Sequence, residues 1–87
     1  MSARFEEIRG EITANDEAIV AAVNRRLALV GELWALKAQL GYDTVDPDRE
    51  RRLREHLAAA SDGPLSAQGV DRLVTTLLDL TKSELGA

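Results

Sequence analysis

From about Arg4 to Leu40 the chain runs without a proline, and its apolar residues recur at three- and four-residue steps. Ile8, Ile12, Ile19, Val23, Val30, Leu33 and Leu40 form this stripe. That is the period of a helix, and the Val/Ile/aromatic alternation of strands is missing. Gly10 and Gly31 interrupt the stripe, each costing up to ~1 kcal/mol against alanine, but neither has a partner breaker beside it. The segment Leu27 to Trp34 around Gly31 shows no turn chemistry. The reading is therefore one long helix rather than a helix broken near Gly31 and folded back as a four-helix monomer. It ends at Gly41-Tyr42-Asp43-Thr44, with Gly41 as the residue after the helix. A helix from Arg4 to Leu40 spans roughly 55 Å at 1.5 Å per residue. A compact globule of 87 residues has a radius of gyration near ~12 Å, hence a diameter of roughly 30 Å. The helix cannot be covered by its own chain. About half of its apolar stripe must be buried by a second copy, which predicts an intertwined homodimer.

A second helix begins with Asp46 as N-cap and Pro47 at the first helical position, where a missing N–H does no harm. It carries Leu53 and Leu57 inward and ends before Ser61-Asp62-Gly63-Pro64. A third starts around Ser66, with Leu65 and Val70 spaced as a hydrophobic staple, and runs to about Leu85. The fold class is all-α: a long, a short and a medium helix in a single domain, 1–87.

Composition removes most enzyme chemistries. No cysteine means no disulfide, no thiolate nucleophile and no cysteine-based metal site. With His56 the one histidine, a polyhistidine metal site is excluded, and a Ser-His-Asp triad would have to use it. Fifteen acidic against eleven basic residues, a net charge of −4, disfavours nucleic acid as a partner. The opening residues hold no apolar leader core and no run approaches ~18 apolar residues. The default reading is a soluble cytoplasmic protein with no membrane partner.

Polar residues intrude on the first helix's stripe. Continued through its gaps, the stripe takes in Asn15, Arg26 and Lys37, with Arg25 one step off it. Cations on a seam flanked by Val23, Val30 and Leu33 are costly to bury unless something anionic meets them. They could snorkel from the seam edge, pair with an internal acid, or fix register in a coiled coil. They could also converge on a ligand. Arg26 and Lys37 lie eleven residues apart, roughly 16 Å along the axis, so extended side chains could grip a small molecule with an anion at each end. Arg9 is roughly 25 Å from Arg26 and can approach it only from a second chain in an antiparallel or crossed dimer. In the second helix, Asp46 and Asp48 suit the helix dipole and Arg49 to Arg52 reads as a solvated charge run, yet Glu50 shares the face of Leu53 and Leu57. Thr81, four residues after Leu77, either bonds back to its preceding turn or joins a buried polar pocket.

Ile8-Arg9-Gly10-Glu11-Ile12, Asn24-Arg25-Arg26, Lys37 and Asp46-Pro47-Asp48-Arg49-Glu50 together resemble the all-helical chorismate mutases. The spacings fit without gaps from Arg9 to Glu50, and the three-helix pattern covers essentially the whole chain. The resemblance implies an interlocked dimer with two shared active sites and the Claisen rearrangement of chorismate to prephenate, on the route to phenylalanine and tyrosine. It implies that Arg9 enters from the partner chain and, with Arg26, holds the substrate's carboxylates. Lys37 would meet the ether oxygen and a carboxylate. Arg49 would support a carboxylate or the pocket wall, and Glu50 with Asp46 would bind near the ring hydroxyl. The rearrangement is concerted, so no nucleophile, metal or cofactor is expected. The family commonly has a Gln or Glu late in the third helix as a second donor to the ether oxygen. With Thr81 on the family's small hydroxyl position, that donor falls at Leu85, which has none to offer. Either the register differs or the chain lacks the donor and is intrinsically weak. The tail from Leu80 to Ala87 also resembles the short actinobacterial subclass, whose members are activated by docking onto deoxy-heptulosonate phosphate synthase. Two other functions compete. Isochorismate-pyruvate lyase shares fold and cationic pocket but typically lacks the acid at Glu50. A non-catalytic helical dimer or adaptor would use Arg26 and Lys37 merely to pair internal acids.

Overall fold

A computed structural model describes residues 2–86. Three α-helices, α1 (Ala3–Leu40), α2 (Pro47–Ala60) and α3 (Ala67–Leu85), account for the regular structure among them. The first is continuous through Gly10 and Gly31, which excludes the four-helix monomer. Ser2 caps its start, accepting from the backbone N–H groups of Arg4 and Phe5 at 3.1 and 3.4 Å. Its end is a left-handed turn at Gly41 (φ 74°). There the Tyr42 N–H reaches back to the Lys37 carbonyl at 2.8 Å and the Gly41 N–H to that of Ala38 at 3.3 Å. Two orphan carbonyls are thereby satisfied, and a side chain with a Cβ would resist that φ.

Asp46 caps α2 as its sequence position suggests, its carboxylate accepting from the Arg49 N–H at 3.2 Å, with Pro47 just inside. Ser66 does the same for α3, accepting from the Gly69 N–H at 3.0 Å. The preceding Leu65 folds over the start of this helix so closely that a Cβ on Gly69 would lie 2.5 Å from its Cδ1. Packing is centred on α3. It lies against both α1 and α2, whereas α1 and α2 do not approach each other. Arg54 on α2 pairs with Asp71 on α3 at 2.7 Å and fastens that side.

The core is small. Val70 and Val74 on α3 are its buried apolar residues, and α1 buries none. Ile8, Ile12, Ile19, Leu33 and Leu40 of the predicted stripe are all exposed. The molecule measures 59 × 23 × 17 Å with a radius of gyration of 16.6 Å, against ~12 Å for a compact chain of this length. Its accessible surface is 6877 Å², whereas a folded monomer of 9.5 kDa exposes about 5,000 Å². Most residues of α1 are exposed and none is buried. No described helix is long and apolar enough to cross a membrane.

Candidate active site

Because α1 and α2 stand apart with α3 bridging them, a cleft of about 320 Å³ opens between all three helices. This is at the lower end of the ~300–1,000 Å³ typical of small-molecule sites. The C-terminal half of α1 supplies Arg26 and Lys37, three turns apart on one face. The loop and first turn of α2 supply Asp46, Arg49 and Glu50, and α3 supplies Thr81. Six of the seven residues singled out in the sequence thus face one space. Leu29, Val30, Leu33, Trp34, Leu53 and Leu78 provide its apolar surface.

Arg26 is half-buried, and its Nη1 donates to the Thr81 hydroxyl at 2.6 Å. That hydroxyl in turn donates to the Leu77 carbonyl at 2.8 Å. Thr81 therefore both bonds back to its own turn and orients the guanidinium, so the two alternatives posed by its position hold at once. The Lys37 ammonium lies 3.4 Å from the Thr44 carbonyl, a long contact with a neutral acceptor. Among the described residues neither cation is in an ion pair. Asp46 and Glu50 line the same cleft, but among the described residues neither forms the ion pair with Arg26 or Lys37 that the adaptor reading requires. Asp46 spends one carboxylate oxygen on its cap, while Glu50, half-buried, is unpaired among the described residues. One chain's cleft thus holds the cations Arg26, Lys37, Arg49 and Lys82 against two carboxylates. A low-dielectric wall with unpaired, pre-placed cations attracts a small anion and fixes its orientation.

Arg9 is elsewhere. It lies toward the opposite end of α1, exposed, with its guanidinium 5.5 Å from the centre of the Phe5 ring. Leu85 is half-buried and does not line the cleft. The wall of α3 next to Thr81 is instead formed by Leu78 and Lys82. Sequence reading passed over Lys82 and Trp34. A signal for the former was present, since Lys37 and Lys82 are the chain's only lysines. Among the described residues no group of three or more His, Asp or Glu side chains is placed to hold a metal.

The chain is all-helical, with an apolar-walled cleft whose α1 cations are in no ion pair among the described residues. The model of the family chorismate mutase type II matches residues 8–84, and the chain belongs to that family. Among solved structures it is similar to two forms of the chorismate mutase from Thermus thermophilus. Form I is 26% identical with a TM-score of 0.85, covering 90% of this chain and 98% of that one. Form II is 25% identical with a TM-score of 0.86, covering 92% and 91%. The curated proteins contain no match.

Proposed function

We propose that the chain catalyses the rearrangement of chorismate to prephenate, working as an interlocked homodimer with two shared clefts. The observation that carries this reading is the convergence of Arg26, Lys37, Arg49, Glu50 and Thr81 on one cleft, with both α1 cations unpaired by acids, in a member of this family. The substrate is a dianion. In the reaction its ether C–O bond breaks as a C–C bond forms, and negative charge grows on the ether oxygen. Nothing has to be abstracted or transferred. The protein must hold the compact, pseudo-diaxial conformer and meet that charge.

Arg26, locked by Thr81, offers a planar fork to a carboxylate and supplies the positioning. Lys37 supplies a fixed cation for the developing charge. Glu50, with Asp46 beside it, accepts from the ring hydroxyl, and Arg49 supports a carboxylate from the rim. Arg9 completes the site from the second chain, since within one chain it is roughly 25 Å from Arg26. The uncovered stripe of α1 supports the dimer. The excess of about 1,800 Å² over a compact monomer is more than the ~800 Å² each partner gives to a standard interface. Docking of a deoxy-heptulosonate phosphate synthase belongs to the same reading and rests on the C-terminal resemblance; the cognate synthase should then raise kcat/KM.

Loss of chorismate absorbance on adding the purified chain tests the activity, with isochorismate run in parallel. Turnover of isochorismate to pyruvate without prephenate formation would make the chain a lyase. A thermal melt with a bicyclic transition-state analogue separates both enzymes from an adaptor, which should show no stabilisation by the ligand.

A further inference from the structure

Both lysines of the chain line the cleft, Lys37 from α1 and Lys82 from α3. The backbone carrying Lys82 is held on either side. Thr81 before it is fixed by the bond from Arg26 at 2.6 Å and its own bond to Leu77 at 2.8 Å. The Lys82 carbonyl accepts the capping N–H of Gly86 at 3.0 Å. Lys82 itself is exposed and contributes to the cleft lining one turn after Leu78. Among the described residues its ammonium is in no ion pair, although Asp79 and Glu84 are close in sequence. A lysine in the last turn of a helix interacts favourably with the helix dipole, but that role needs no place on a cleft wall.

The charge balance of the cleft gives Lys82 a purpose. Within one chain, Arg26, Lys37, Arg49 and Lys82 stand against Asp46 and Glu50, a surplus of two positive charges. Without Lys82 the surplus falls to one. We propose that Lys82 is a substrate-binding residue of this site, its ammonium holding a carboxylate of the dianion from the α3 wall while Arg26 and Lys37 act from α1. This rests on the chorismate mutase reading. A carboxylate is charged before and after the rearrangement, so the contact acts equally on ground and transition states and belongs in KM.

The test is steady-state kinetics of the full chain with chorismate for wild type, Lys82→Ala and Lys82→Arg. Melting curves with and without the bicyclic analogue accompany it. Lys82→Ala should lower kcat/KM by about tenfold to a hundredfold, as expected for one charge-assisted hydrogen bond. The loss should fall mainly in KM, with most of it recovered in Lys82→Arg. The melting point without ligand should stay within about 3 °C of wild type, while the rise induced by the analogue shrinks. A kcat/KM within about twofold of wild type, a loss confined to kcat, or an arginine variant as poor as the alanine one would overturn the assignment. Wild type that turns over chorismate while Lys82→Ala matches it sinks the Lys82 role alone. Wild type with no turnover overturns the underlying reading and this assignment with it.

Discussion

Lys37 stands in the last turn of α1, its own carbonyl tied into the Gly41 cap and its ammonium directed at the cleft. In the proposed reaction a cation held there would be pre-organised for charge that appears only in the transition state. Lys37→Ala should therefore cost most of the activity, at least about a hundredfold in kcat, while the oligomer persists; near-normal turnover would defeat the assignment. Arg26→Lys should also be severe, because a point charge cannot reproduce a planar fork. Thr81→Val keeps the shape but removes the acceptor of the 2.6 Å bond, and a drop of about tenfold in kcat/KM is expected. At this scale the two α1 cations were legible because they break an apolar stripe. Their lack of acid partners was not, since pairing depends on what α2 and α3 bring near. The bond from Arg26 to Thr81 joins residues 55 apart in the chain, and no local pattern announces it. Lys82 was hidden by its ordinary appearance as a basic residue in a last turn.

The helices stop and start where short polar signals tell them to. Asp46 has two tasks, capping α2 and standing in the cleft wall. Asp46→Ala should lower stability by about 1 kcal/mol. It should also depress activity, because Arg49 and Glu50 lie in the turn that the cap holds. Gly41→Ala forces a Cβ into a left-handed conformation at φ 74°, worth about 1–2 kcal/mol. In a domain of this size that is a fall in melting temperature of about 4–8 °C per kcal/mol, measurable by circular dichroism. Both caps were readable as residue types at fixed offsets. The separation of α1 from α2 was not. It follows from α3 taking the contacts with each, and it is what leaves a cleft instead of a packed seam.

Most of the longest helix is exposed in the single chain, and the proposed dimer is what would cover it. Light scattering should give a particle of twice the 9.5 kDa chain mass. Ile12→Asp or Ile19→Asp, placing a carboxylate on that uncovered face, should shift it to monomer and lose helix signal together. A monomeric wild type that keeps full helicity would contradict the dimer. The contribution of Arg9 across the dimer has its own test. Arg9→Ala and Lys37→Ala are each expected to be inactive, yet mixing and reassociating them should restore about a quarter of wild-type sites. Random pairing makes half the dimers mixed, each with one intact site of two. If Arg9 acts within its own chain, mixing restores nothing.

What the sequence determined by itself was local: the helices, their ends, and the fact that a helix so long exceeds what its own chain can cover. Periodicity, capping and rise per residue are properties of neighbouring residues, so a helix from about Arg4 to Leu40, the Asp46-Pro47 start and the turn at Gly41 were all readable in advance, within one residue of the observed α1, Ala3–Leu40. Tertiary structure alone decided that Arg26 bonds to a threonine rather than an acid. It alone decided that Lys82 and not Leu85 lines the α3 wall, and that α1 and α2 leave space between them. Those outcomes depend on the rotation and separation of helices about α3, set by packing between residues far apart in the chain. A helical period places a side chain on a face, but only the neighbouring helix decides whether that face meets protein, water or a dianion.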